Sequence, residues 1–179
     1  MTLLVIDVQK GITDERLYNY KAVISNILRV IGAAREGGAE VIFIQHDDGP
    51  DSGFSVGDEA FELADEIRPR KGERVYIKTV NSCFSNRELT EHLKNKHENT
   101  LMIVGLQTDY CVDATVKSAF ERGFKVIVPG NANSTFDNIF MNAETVYRYF
   151  NELIWPKRYA ECVSLEEALG MLSDSCSEA

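Results

Sequence analysis

Leu101-Met-Ile-Val-Gly-Leu-Gln-Thr-Asp-Tyr-Cys-Val112 is the stretch that decides the fold. Four apolar residues make a strand-sized run, a glycine and a polar turn follow, and a cysteine arrives where helical spacing begins. Val112, Thr115, Val116, Ala119 and Phe120 then share one helical face up to a stop at Gly123. A buried strand feeding a helix is half of a strand–helix–strand unit, and the rest of the chain repeats it. Further strand candidates are Leu3–Ile6, Glu40–Ile44, Val75–Lys78, Lys125–Val128 and a weaker Glu161–Val163. They are near-continuous in Val, Ile and Leu, as in strands covered on both faces. Tyr20, Val23, Ile27, Ile31 and Ala34 form an apolar stripe closed by Gly37-Gly38. Leu89 and Leu93 follow Ser85-x-x-Glu88, a capping-box pattern. Ala143, Val146, Phe150 and Leu153 form another stripe, and Ser164-x-x-Glu167 caps a last helix carrying Ala168, Leu169 and Leu172. This alternation predicts an α/β fold with a parallel sheet. It forms one domain over residues 1–172 with a frayed polar tail at 173–179.

The chain has 179 residues, of which 44% are apolar and 26% charged, enough for a core without disulfide or metal support. Nineteen Lys and Arg against 28 Asp and Glu leave a formal charge of −9. Such a surface is repelled by phosphate backbones and anionic lipid, and Arg68-Pro-Arg-Lys71 is too short a basic run to offset it. Nucleic-acid and membrane partners are therefore not expected. No apolar run approaches a membrane span, and the N-terminus has no basic region before its apolar run. Cys83, Cys111, Cys162 and Cys176 show no CxxC spacing, which argues against a disulfide scaffold or a structural zinc site and for a reducing, cytoplasmic home. Cys83 and Cys162 read as buried packing, and Cys176 as an exposed tail thiol.

In open parallel sheets, ligands bind beyond the carboxyl ends of the strands. The first strand ends at Asp7, the second at His46-Asp-Asp48, the third at Lys78, and the fourth runs into Cys111. An acid, an ammonium and a thiol thus reach one edge of the sheet. Each has a plain structural reading: a cap for Asp7, a strand-end snorkel for Lys78, a small core hydrophobe for Cys111. Together they read as an activated nucleophile. A helix N-terminus and a nearby ammonium lower a thiol's pKa, and a carboxylate can carry its proton.

Leu4-Val-Ile-Asp7-Val-Gln9, Lys78 followed by Asn81-Ser-Cys-Phe84, and Val104-Gly-Leu-Gln-Thr-Asp-Tyr-Cys111-Val resemble the isochorismatase-like cysteine hydrolases, which include nicotinamidases, N-carbamoylsarcosine amidohydrolases and isochorismatases. The resemblance runs from residue 3 to about residue 169. It implies a Rossmann-like three-layer sandwich, with a six-stranded, mostly parallel sheet flanked by helices on both faces. It also implies a catalytic triad on Asp7, Lys78 and Cys111, a cis peptide at Leu106–Gln107, and an oxyanion hole from the backbone N–H groups of Gln107 and Cys111. The implied activity is hydrolysis of a small-molecule amide, or related carbonyl C–N bond, through a thioester. The implied assembly is a homo-oligomer, dimer or tetramer. Gln9, His46, Phe84 and Tyr110 flank these motifs as candidates for the pocket wall.

The chain departs from the family's metal-binding branch. Nicotinamidases and pyrazinamidases carry Asp-x-His after the second strand and a further His downstream. Here the corresponding positions hold His46 and Asp48 in reverse order, and the remaining histidines, His92 and His97, fall on a helical stretch and read as solvated. The expectation is a cofactor-free enzyme, with His46-Asp-Asp-Gly49 a polar turn at the pocket rim. A metal-assisted nicotinamidase using His46 and Asp48, and a non-catalytic binding protein on the same fold, stand as alternatives.

Overall fold

A computed structural model of the chain describes residues 1–174; Cys176 and residues 175–179 lie outside the described residues. The strands are β1 (Thr2–Ile6), β2 (Glu40–His46), β3 (Arg74–Lys78), β4 (Thr100–Leu106), β5 (Lys125–Pro129), β6 (Asn133–Ser134) and β7 (Glu161–Val163). The helices are α1 (Tyr20–Glu36), α2 (Arg87–Asn95), α3 (Asp113–Glu121), α4 (Ala143–Arg148) and α5 (Leu165–Asp174). The sheet order is β3-β2-β1-β4-β5-β7, with β6 alongside the end of β4. All of its pairings are parallel. The expected six strands are present, and β6 is a seventh. Its two residues carry no periodicity by which a sequence could announce them.

The side-chain period of two sorts the strands between two cores. Leu3, Val5, Val41, Phe43, Met102 and Val104 face α1 and α5. Leu4, Ile6, Ile42, Ile44, Leu101 and Ile103 face α2 and α3 with Trp155. Every one of these strand residues is at most 2% exposed, and each such side chain contributes about 1.5–3 kcal/mol by leaving water. The edge strand β3 departs from the expected two-sided burial: Val75 and Ile77 are exposed, while Tyr76 and Lys78 point inward. Among the described residues, no helix is long and apolar enough to cross a membrane.

Local signals set most element ends. The Gly37 N–H reaches Ala33 O at 2.9 Å and Gly38 adopts φ +70°, closing α1 where the glycine pair predicts. Ser164 and Glu167 form the reciprocal capping box of α5, with Ser164 N donating to Glu167 Oε2 at 2.8 Å. α5 runs on through Ser173 and Asp174, which the sequence alone assigns to the tail. The α2 cap differs: Asn86 Oδ1, not Ser85, accepts from Leu89 N at 3.0 Å, and Ser85 ends a preceding 3-10 turn. The α4 stripe breaks at a π-helical turn, Tyr149–Ile154. This turn shifts the helical phase, so Ala143 and Val146 are buried while Phe150 is half-buried and Leu153 is exposed. Phe120 is also exposed, at the end of the α3 face.

One glycine is indispensable to the strand junction. Gly105 lies beside Ile6 in the β1–β4 register with φ +123°, and a Cβ there would collide with the carbonyl oxygen and amide nitrogen of Ile6. Gly105→Ala is therefore expected to destabilise by about 3 kcal/mol or more, against about 1 kcal/mol for the cap variant Ser164→Ala. Urea unfolding followed by circular dichroism checks both, and equal midpoints for the two variants would refute the steric account.

Candidate active site

The parallel register gathers the polar strand ends. His46 lies directly opposite Lys78 in the β2–β3 register, and Ile6 lies between Ile44 and Gly105. Just past Ile6, Asp7 leaves the strand with φ 48°, a left-handed turn that Asp tolerates. The Asp7 N–H still reaches Ile44 O at 3.0 Å, so its backbone stays locked to β2. Gln9 is fully buried behind this turn. Its side chain donates to His46 O at 3.0 Å and Phe61 O at 2.8 Å and accepts from His46 N at 2.7 Å. Gln9 is therefore a strut holding the His46 backbone rather than a pocket wall.

Cys111 reaches the same edge by a different device. The Leu106–Gln107 peptide bond is cis. Residues Thr108–Val112 form a π turn before α3, with Val112 N donating to Gln107 O at 3.1 Å. The extra residue in that turn lets Cys111 face the cleft while Val112 and Val116 keep to the core. A buried amide cluster holds the turn from behind. Thr108 Oγ1 donates to Asn133 Oδ1 at 2.7 Å, and Asn133 Nδ2 donates to Asn151 Oδ1 at 2.9 Å.

At the centre, the Lys78 ammonium touches everything else. Its Nζ is 2.7 Å from Asp7 Oδ2, 3.2 Å from Cys111 Sγ and 2.7 Å from His46 Nδ1. Asp7 and Lys78 are at most 2% exposed. Asp7 Oδ1 is buried with no hydrogen-bond partner in the protein. His46 Nδ1 is 3.6 Å from Sγ, and its Nε2 is 3.1 Å from Asp48 Oδ1. The thiol also points at Asn81 Oδ1, 3.7 Å away.

Electrostatics here run against the simple expectation of a pre-ionised thiol. Burial, and then the Asp7 carboxylate, push the Cys111 thiol up to about 12, with Lys78 pulling the other way. Burial also raises Asp7, opposed by Lys78. The pull of one ammonium does not outweigh desolvation and an adjacent carboxylate, so the resting site holds a protonated thiol. Cys83 is fully buried and burial pushes its thiol up to about 12, which makes it inert packing; Cys162 is half-buried rather than buried.

These groups open onto a cleft of about 200 Å³ lined by Asp7, Ile12, His46, Asp48, Phe54, Asn81, Gln107, Tyr110 and Cys111. His46 and Tyr110 thus take wall positions. Phe84 does not: it is buried against Phe124 and under Arg122. Ile12 and Phe54 carry no sequence signal, whereas Asn81 lies within the Asn81–Phe84 motif without a role being legible from it.

The metal alternative finds a poor donor set. Among the described residues, Asp7, His46 and Cys111 offer ligand atoms within 4.8 Å of one another. The Lys78 ammonium already stands in contact with all three and would oppose a second cation. His46 Nε2 and Asp48 are left as a pair without a third protein ligand. His92 is not solvated but bonded to Glu40 at the start of β2, at the opposite edge of the sheet, and His97 is exposed.

Comparison with known proteins places the chain in a family. Residues 1–154 match the isochorismatase domain. An uncharacterised isochorismatase family protein, YrdC of Bacillus subtilis, is 33% identical over 81% of this chain and 82% of its own length. The ureidoacrylate amidohydrolase RutB of Yersinia enterocolitica is 28% identical over 66% of this chain and 68% of its own length. The crystal structure of a hydrolase of the isochorismatase family from Chromobacterium violaceum superposes with a TM-score of 0.89 at 26% identity, covering 97% of this chain and 93% of that one. The chain belongs to the isochorismatase family of hydrolases.

Proposed function

We propose that this enzyme hydrolyses a small-molecule amide, or a related carbonyl C–N bond, through a thioester on Cys111. The observation that carries this reading is the Lys78 ammonium lying 2.7 Å from Asp7 and 3.2 Å from Sγ at the cleft wall. The thiol proton passes to Asp7 as Sγ attacks the carbonyl carbon, and Lys78 offsets the charge developing on sulfur. Burial that raises Asp7 makes it a stronger base at the moment of transfer. The backbone N–H groups of Gln107 and Cys111 take the oxyanion. Collapse breaks the C–N bond, and Asp7 returns the proton to the departing nitrogen. Water, deprotonated by Asp7, then attacks the thioester. The C–S bond breaks, the acid product leaves and the sulfur regains its proton. No step needs a metal. A pure binding protein would gain nothing from holding a carboxylate, an ammonium and a thiol in mutual contact, because removing such charges from water costs stability.

Cys111→Ala is expected to lower kcat by about 10³-fold or more with an unchanged circular dichroism spectrum, assayed as amine or ammonia release across a panel of small amides. A variant keeping a tenth of the wild-type rate would end the nucleophile assignment. With the thiol at about 12, iodoacetamide alkylation of Cys111 in the free enzyme should keep rising between about pH 8 and pH 10. Asp7→Asn removes the carboxylate that raises the thiol, so this variant should alkylate faster than wild type at pH 8. A rate that levels off below pH 8 would show a pre-formed thiolate instead.

A further inference from the structure

We infer that the cleft selects amides carrying a cationic group, an ammonium or guanidinium on a short spacer, and disfavours those carrying a carboxylate. This rests on the reading of Cys111 as the nucleophile and names the substrate class of that site. The charge inventory of the cleft carries it. Of the residues lining the cavity, Asp7 and Asp48 are the charged ones apart from the thiol and imidazole, and no Lys or Arg is among them. Lys78 lies beneath the wall with a side chain of 0% exposure, committed to Asp7, His46 and Sγ. Asp7 and Lys78 therefore neutralise each other, and Asp48 is left as the charge a substrate meets.

Asp48 is held where that matters. Its backbone N–H donates to Phe54 O at 3.0 Å, and its Oδ1 lies 3.1 Å from His46 Nε2, one imidazole ring away from a nitrogen 3.6 Å from Sγ. The side chain remains 57% exposed, so it can accept a donor. Its neighbour Asp47 does not line the cleft, and its Oδ1 accepts from the Gly49 N–H and the Ser55 hydroxyl. Phe54 and Tyr110 supply aromatic faces to the same cleft, a surface that favours a cation further. A carboxylate in this space would face Asp48 with no counter-charge, a repulsive element that sets specificity as firmly as an attraction does.

Two matched series test this. The first is the amide set 4-aminobutanamide, pentanamide and succinamate, assayed by ammonia release. The second is a pair of methanethiosulfonates bearing ammonium or sulfonate, which form a disulfide with Sγ and expel methanesulfinate, located by peptide mass spectrometry. Wild type should turn over 4-aminobutanamide with kcat/KM at least 30-fold above succinamate, and the ammonium reagent should modify Cys111 at least tenfold faster than the sulfonate. Asp48→Asn should pull both ratios towards unity and Asp48→Lys should invert them, while the reagent ratio at Cys162, on β7 away from the cleft, stays fixed. Equal rates, or faster reaction of the anions, with pentanamide still hydrolysed, would overturn the charge inference and leave the hydrolase standing. Failure of wild type to hydrolyse any amide in the set, with Cys111 still reacting at equal rates with the two methanethiosulfonates, would overturn the inference that short cationic amides are its substrates.

Discussion

The buried ammonium of Lys78 is the constraint around which the site is arranged. A charge at 0% side-chain exposure costs several kcal/mol unless its partners are close and correctly placed. Asp7 supplies the compensating charge at 2.7 Å, and His46 and Cys111 accept the remaining donors. The need to satisfy that ammonium fixes features that otherwise look unrelated: the left-handed turn at Asp7, the register that sets His46 beside Lys78, and the Gln9 strut behind both. Held by the same donors, the ammonium would oppose a second cation there.

The placement of Cys111 depends on packing more than on charge. Gly105 lets β4 pass against β1 at the point where the chain turns into the cleft. The π turn at Thr108–Val112 sets the phase of Cys111, and the Thr108–Asn133–Asn151 cluster anchors that turn from the far side through β6 and the segment after α4. Three separate parts of the chain thus hold one sulfur in contact with one ammonium. The result is a protonated thiol raised by its surroundings rather than a free thiolate. In the proposed mechanism such a sulfur stays unreactive until a carbonyl is present and proton transfer to Asp7 can accompany attack.

Sequence patterns carry far in this chain where burial is two-sided and regular. Leu3–Ile6, Glu40–Ile44 and Leu101–Val104 announce central strands because both faces of each are covered, and the acid, ammonium and thiol that follow strands converge because parallel strands share one carboxyl edge. Legibility ends where tertiary contacts override local period. Val75 and Ile77 look like core and are exposed, because nothing in a strand's composition says that it lies at an edge. Phe84 and Gln9 flank the motifs equally, yet one packs against Phe124 and the other ties His46 in place. The sign of the Cys111 shift was also out of reach: helix position and a nearby lysine both argue downward, and only the extent of burial and the approach of Asp7 reverse it. Ile12, Phe54 and the Asp48–His46 contact come from loops whose paths no spacing encodes.

The proposed catalysis asks little reorganisation of the protein, since Asp7, Lys78 and Cys111 already meet at the cleft. A covalent intermediate is the central consequence of the proposed mechanism. It is tested most directly by partitioning: two amides with the same acyl group and different leaving amines are hydrolysed in the presence of hydroxylamine, and the ratio of hydroxamate to acid is measured for each. A common thioester on Cys111 predicts the same ratio from both substrates at every hydroxylamine concentration. A ratio that changes with the leaving amine would mean that water and hydroxylamine attack the amide itself, and would contradict nucleophilic catalysis by Cys111.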